Sequence, residues 1–236
     1  MQASELFNQP NTILLDGGMG TMLQAAGMKL GTRPEDLNIE NPELIRSIHA
    51  KYAAAGSRVV NANTFGASPH KLADSKYTLE EVITAGVANC KQAVAPYGAL
   101  VTLDVGPLGE LLEPSGTLAF EDAVAEYGRI VRAGVAAGAD ILYFETFTDL
   151  YEMKAALLAA KENSTLPIMA SMSFEANGRT FTGCTVESFA ATARGLGANA
   201  VGINCSLGPK EIFPMAKRLA EAVPGDFPVF VKPNAG

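Results

Sequence analysis

Seven short apolar runs recur along the chain, each followed closely by Gly, Asn, Thr or Pro, and the segments between them are long enough for a helix. The runs are "TILLD" (12–16), "RVVNAN" (58–63), "ALVTLDV" (99–105), "DILYFET" (140–146), "PIMASMSF" (167–174), "AVGIN" (200–204) and "PVFVKP" (228–233). An apolar run with no polar alternation is the pattern of a strand buried on both faces, so a parallel sheet covered by helices is predicted. The intervening segments carry helix start and stop signals. In "NPELIRSIHAKYAAAG", Asn41 is a predicted N-cap, Pro42 the first helical residue and Gly56 the terminator, with Leu44, Ile45, Ile48 and Tyr52 on one face. In "TLEEVITAGVANCKQAV", Thr78 and Glu81 stand at capping-box spacing, and Val82, Gly86, Cys90 and Val94 share a stripe, which makes Cys90 a core residue.

Alternating strands and helices over 236 residues predict an α/β fold of the (β/α)8 TIM-barrel type, whose units together take about 250 residues. A doubly wound open sheet is the rival. The polar residues decide between them, because Asp16, Asn61, Asn63, Asp104, Glu145, Ser173, Asn204 and Asn234 all fall at the C-terminal ends of predicted strands. In a barrel these ends converge on one mouth, whereas an open sheet gathers only some of them at its switch point.

Composition removes several functions. A formal net charge of -7 with no Lys/Arg cluster excludes a nucleic-acid backbone as partner. No apolar run reaches membrane-spanning length, and "MQASELFNQPN" is not a signal peptide, so no membrane association and a cytoplasmic location are expected. Three widely spaced cysteines, Cys90, Cys184 and Cys205, fit a reducing compartment. His49 and His70 lie away from the strand ends and are expected at surface or packing positions.

The stretch "ILLDGGMGTML" (13–23) runs from a strand through Gly17, Gly18 and Gly20 into a helix near Thr21. Backbone N–H groups at such a turn can face an anion with no Cβ in the way. The spacing is not a dinucleotide fingerprint, since Leu23 stands where the third glycine belongs, and no Walker lysine follows. Asp16 beside the cradle repels a phosphate dianion and attracts an ammonium group, and Glu145 at the end of the fourth predicted strand can supply a second carboxylate. Carboxylate next to ammonium describes an α-amino acid; a plain tight turn fits the same residues. Cys205, in "GINCSLGP", ends the sixth predicted strand inside the proposed mouth and is placed for metal or nucleophilic chemistry, although a lone Cys equally fits a small buried hydrophobe.

Taken together, "LLDGGMGTML", "LNIENPELI", "NANTFGAS", "DVGPLGELLEPSGT", "FETFTDLYEMKAALLAAKE", "MSFEANGRTFTG", "GINCSLGP" and "KPNAG" resemble the homocysteine S-methyltransferases, in particular the homocysteine-binding domain of cobalamin-dependent methionine synthases. The resemblance implies a (β/α)8 barrel that binds L-homocysteine and holds its sulfur on a zinc ion ligated by three Cys thiolates. It also implies methyl transfer from methylcobalamin, recharged by 5-methyltetrahydrofolate on other domains or on a corrinoid-carrying partner. Carried over by position, Cys205 matches a zinc ligand, Asp16 and Glu145 the ammonium contacts, and the amides of Gly17, Gly18, Gly20 and Thr21 the carboxylate cradle. Asn234 matches a residue close to the metal, and Asn63, Thr64 and Asn204 shape the mouth.

The family's other two zinc cysteines belong to a Gly-Gly-Cys-Cys-Gly segment at the end of strand eight, beyond Gly236, and Cys90 and Cys184 stand in no matching motif. One Cys and one Asn fall short of the four ligands zinc takes. The expectation is therefore a single domain over 1–236 lacking the eighth βα unit, a shortened piece of a longer methyltransferase. Its open barrel edges invite pairing with a second copy. Two alternatives stand beside zinc-dependent methyl transfer: a metal-free, non-catalytic amino-acid-binding fragment, and a cobalamin-independent enzyme using S-methylmethionine or betaine.

Overall fold

The structure is a computed structural model that describes residues 3–9, 11–29 and 31–234. Six strands form one sheet in the order β1 (Val59–Asn61), β2 (Leu100–Val105), β3 (Ile141–Phe147), β4 (Ile168–Met172), β5 (Ala200–Asn204) and β6 (Val229–Lys232), and every neighbouring pair is parallel. Strand order equals chain order, with no reversal. A doubly wound sheet must reverse at its switch point, so the sheet is of the barrel type, curled with some units lacking.

The first expected strand is corrected. Residues 12–16 run beside β1 but make only an isolated bridge, Leu15 to Val59, with Arg58 N–H donating to Leu14 O at 2.9 Å and Asp16 N–H to Val59 O at 3.2 Å. Main-chain pairing stops there, and the Asn61 N–H is taken by the Asp16 carboxylate at 2.8 Å.

Helices α1 (Ala3–Leu6), α2 (Met19–Ala25), α3 (Leu37–Glu40) and α4 (Pro42–Ala54) precede β1 in turn. Helices α5 (Leu79–Val94), α6 (Phe120–Ala136), α7 (Leu150–Asn163), α8 (Val186–Gly195) and α9 (Pro209–Glu221) follow β1 to β5 in turn. The local signals operate as read. The Asn41 side chain accepts from Leu44 N–H at the start of α4, and Gly56 beyond its end adopts φ 106°. Thr78 and Glu81 form a reciprocal capping box on α5.

Strand side chains alternate between two cores. Val59, Leu100, Ile141, Tyr143, Met169 and Ala200 point inward and are capped from below by Leu6 of α1. Their neighbours Val60, Val101, Leu142, Ala170 and Val201 point outward into the larger layer between sheet and helices, where Cys90, Tyr127, Leu157 and Phe189 are also fully buried. Full burial of such side chains stabilises by roughly 1.5–3 kcal/mol each. Tight approach fixes the helices on the sheet: a Cβ on Gly134 of α6 would lie 2.4 Å from Leu103 of β2.

His70 is on the surface, paired with Glu110 at 2.9 Å. His49, on the inner face of α4, is fully buried, and neither ring nitrogen has a partner among the described residues. Burial lowers its pKa to about 4, against about 6.5 in the unfolded chain. As pH falls from 6.5 to 4 the unfolded chain takes up a proton that the native chain refuses, so stability is lost, by about 3 kcal/mol in total. The buried carboxyls of Asp16, Glu35 and Glu152, raised by burial, act with the opposite sign. Urea unfolding of His49→Leu and the parent chain at neutral and mildly acidic pH should show a shallower acid slope for the variant; parallel slopes would assign the acid sensitivity elsewhere.

Candidate active site

The C-terminal strand ends surround a cavity of about 1490 Å3. It extends down the gap between residues 12–16 and β6, where Leu14 and Phe230 line it. Of the expected site residues, Asp16, Gly17, Gly18, Gly20, Thr21, Asn63, Glu145, Asn204, Cys205 and Asn234 all line this cavity. Thr64 does not. Its hydroxyl is buried against β2, donating to Asp104 O at 2.8 Å and accepting from Asp104 N–H at 3.1 Å.

The glycine turn has two separate causes. A Cβ on Gly17 would lie 2.9 Å from the Tyr52 ring, and the Tyr52 hydroxyl donates to Gly18 O at 3.0 Å, so this glycine is required by packing. Gly20 differs, with nothing within 4 Å of where its Cβ would stand. Gly18 is the N-cap of α2 and brings no side-chain cap. The first N–H groups of a helix have no acceptor within it.

Beside the turn lies a charge cluster that the sequence reading only half saw. Lys232, at the end of β6, places its ammonium 3.3 Å from Asp16 Oδ1, 3.5 Å from Glu145 Oε2 and 5.3 Å from the centre of the Tyr143 ring. All three charged side chains are largely buried, at 4% exposed for Asp16, 14% for Glu145 and 16% for Lys232. Burial alone would lower the Lys232 pKa, but the carboxylates of Asp16, Glu145 and Asp104 outweigh it and hold the ammonium charged. Burial raises the Asp16 carboxyl, opposed by Lys232 and the Asn61 N–H. Asp104, at the end of β2, is raised well above the usual carboxyl range by burial and then by Glu145. Its Oδ1 has no partner among the described residues. The lysine in "FVKPNAG" was open to reading as a strand-end polar residue, but nothing local announces that its partner lies 216 positions away.

On the other side of the mouth, Cys205 is held by its neighbours. The Asn204 amide donates to Thr146 Oγ1 at 2.7 Å and to Cys205 Sγ at 3.3 Å, while its Oδ1 accepts from Thr146 N–H at 3.1 Å and Ser171 Oγ at 2.8 Å. Thr146, Cys205 and Ser206 have φ of 67°, 59° and 61°. Positive φ is strained for a side-chain-bearing residue, most of all for a β-branched one, and such strain gathers at functional sites. Thr146 is a site residue that sequence reasoning missed, because its strain exists only once β3 and β5 are paired through β4. Burial pushes the Cys205 thiol up, and the hydrogen bonds from Thr146 and Asn204 oppose this. Asn234 is carried to the same loop by its N–H bond to Leu207 O at 3.0 Å. Glu35 was also missed; it accepts from Gly66 N–H at 2.7 Å and props the loop after β1.

A zinc ion needs more than these residues offer. Among the described residues no group of three or more His, Cys, Asp or Glu could hold a metal. Cys90 lies in the core with its thiol toward Val60 O at 3.8 Å, and Cys184 donates to Thr185 O at 3.2 Å on another loop. The single thiol of Cys205 does not fit a tetrahedral zinc site.

A family model described as homocysteine S-methyltransferase matches residues 13–236. The methionine synthases of Mycobacterium tuberculosis and Mycobacterium leprae are each 29% identical, over 239 and 240 residues, covering 94% of this chain. The chain spans 20% of the length of each. Among solved structures, the metallated form of the homocysteine methyltransferase MmuM from Escherichia coli superposes with a TM-score of 0.87 at 25% identity, covering 98% of this chain and 86% of that one. The carboxyl transferase domain of Rhizobium etli pyruvate carboxylase, at 15% identity and a TM-score of 0.59, shares the fold alone. With a family match across nearly its whole length, a sheet in barrel order and the expected polar residues gathered at its mouth, the chain belongs to the homocysteine S-methyltransferase family.

Proposed function

We propose that this chain binds L-homocysteine at the barrel mouth and presents its sulfur for methylation to methionine. The observation that carries the reading is the placement, in one cavity, of a glycine turn that opens a helix, a buried carboxylate cluster and a thiol held in strained backbone. The amides of Gly17, Gly18, Gly20 and Thr21 take the carboxylate of the amino acid. Asp16 and Glu145 supply the negative field that draws its ammonium inward, and Asn63, Thr64 and Asn204 hold the surrounding loops.

The sulfur end of the ligand lies toward Cys205 and Asn234. Homocysteine is nucleophilic as the thiolate, and the family resemblance assigns a zinc ion to stabilise it. Cys205 would contribute one thiolate to such a site, which the described residues do not complete. The methyl donor in this reading is methylcobalamin, recharged by 5-methyltetrahydrofolate, reached through a corrinoid-carrying domain or partner in a cytoplasmic setting. No helix among the described residues is long and apolar enough to cross a membrane.

The lone thiol favours a second reading, an amino-acid-binding module without methyl transfer. Calorimetric titration with homocysteine, methionine and homoserine separates the two. A preference for homocysteine of about tenfold or more, worth about 1.4 kcal/mol and abolished by Cys205→Ala, is expected if the thiol is the business end. Equal affinities, unchanged by the substitution, would leave only a binding module.

The cradle makes its own prediction. Gly20 lies within α2 facing open space, so Gly20→Ala should raise helix stability by up to about 1 kcal/mol while weakening homocysteine binding. Thermal melting and the same titration test both halves, and unaltered affinity would remove Gly20 from the cradle.

A further inference from the structure

We propose that Asp104 Oδ1 is the seat of the α-ammonium group of the bound amino acid, making Asp104 a specificity-determining residue of the mouth. The assignment rests on the preceding reading that an amino acid occupies this cavity, and it names the atom that receives its ammonium.

Asp16 and Glu145 carry the negative field, but both already have a cation. Lys232 lies between them, 3.3 Å from one and 3.5 Å from the other, with its ammonium over the Tyr143 face. A ligand ammonium therefore enters beside a resident one and needs an acceptor of its own. Asp104 supplies it. The residue is 6% exposed and lines the cavity, and its Oδ1 is a buried side-chain oxygen without a hydrogen-bond partner among the described residues. Buried polar groups are usually satisfied; among the described residues the other exception is His49, which does not line the cavity, and the position of Asp104 at the cavity marks its oxygen as one whose partner arrives with a ligand.

The strand holds Asp104 in this position. Its N–H and C=O are both bound by the Thr64 hydroxyl, and its register partner in β3 is Tyr143, the residue whose ring carries Lys232. Charge points the same way. Lys232 between the carboxylates of Asp16 and Glu145 leaves this side of the mouth with an excess of negative charge, which favours the entry of a further cation. Lys71, another nearby cation, is engaged with Pro107 O at 2.6 Å. Burial and the nearby Glu145 raise the Asp104 carboxyl, and an ammonium at Oδ1 favours its carboxylate form, any proton it carries passing to solvent.

The bland alternative is a water at Oδ1. Asp104→Asn keeps the shape of the side chain and removes its charge, and two ligands distinguish the cases: homocysteine, and its desamino analogue, a mercaptobutyrate with no ammonium. Calorimetry on the whole chain should show homocysteine weakened by about tenfold or more in the variant, with the desamino analogue unaffected, so that the ratio between them collapses. Equal losses for both ligands would show a structural role and overturn the assignment, as would no loss for either. Should the Asn variant fail to melt cooperatively, Asp104→Ser gives the same ratio with a smaller polar side chain. A parent chain that binds neither ligand overturns the amino-acid reading itself, and this assignment with it.

Discussion

The ammonium of Lys232 is the charge on which the mouth is organised. It joins β6 to the segment before the glycine turn and to the end of β3, so the first and last described parts of the sheet meet through one cation and two carboxylates. Taking such charges out of water is costly, and removing one partner of a buried pair typically loses about 3–5 kcal/mol because the other stays behind uncompensated. The Asn61 N–H on Asp16 and the Tyr143 face under Lys232 reduce that cost. The cluster also accounts for the shape of the sheet's first edge, since an Asp16 carboxylate turned to Asn61 ends the backbone ladder that the apolar residues before it had begun.

Across the mouth the protein holds a different kind of stored energy. Thr146, Cys205 and Ser206 sit in left-handed backbone at a cost of order 1–3 kcal/mol each, and the Asn204 amide, bonded to Thr146 and to the Cys205 sulfur, keeps them there. Rigid strands β3 and β5 supply the anchor points. One side of the cavity is thus defined by charge and the other by constrained geometry around a sulfur.

Much of this was legible in the chain. Apolar runs ending in polar residues stated both the parallel sheet and the location of the mouth, and the caps at Asn41 and Thr78 are local chemistry that acts as written. Some residues were misread for a physical reason. The run 12–16 has the composition of a strand, but whether it pairs is decided by what its last side chain finds across the gap. Gly17 reads as a place where backbone can meet a ligand, and the structure adds a packing reason for the same glycine, the Tyr52 ring brought from α4.

By itself, then, the sequence determined the alternation of strands and helices, the burial of Cys90, the barrel class and the set of polar residues available at the strand ends, because those depend on periodicity and on contacts a few residues apart. Tertiary structure alone decided that Lys232 lies between Asp16 and Glu145, that Thr146 is strained beside Cys205, that Thr64 turns into the wall and that one Asp104 oxygen has no partner among the described residues. Each of these depends on groups far apart in the chain meeting in a place of low dielectric, where an unpaired charge or an unpaired oxygen matters most, and no local pattern encodes which groups those will be.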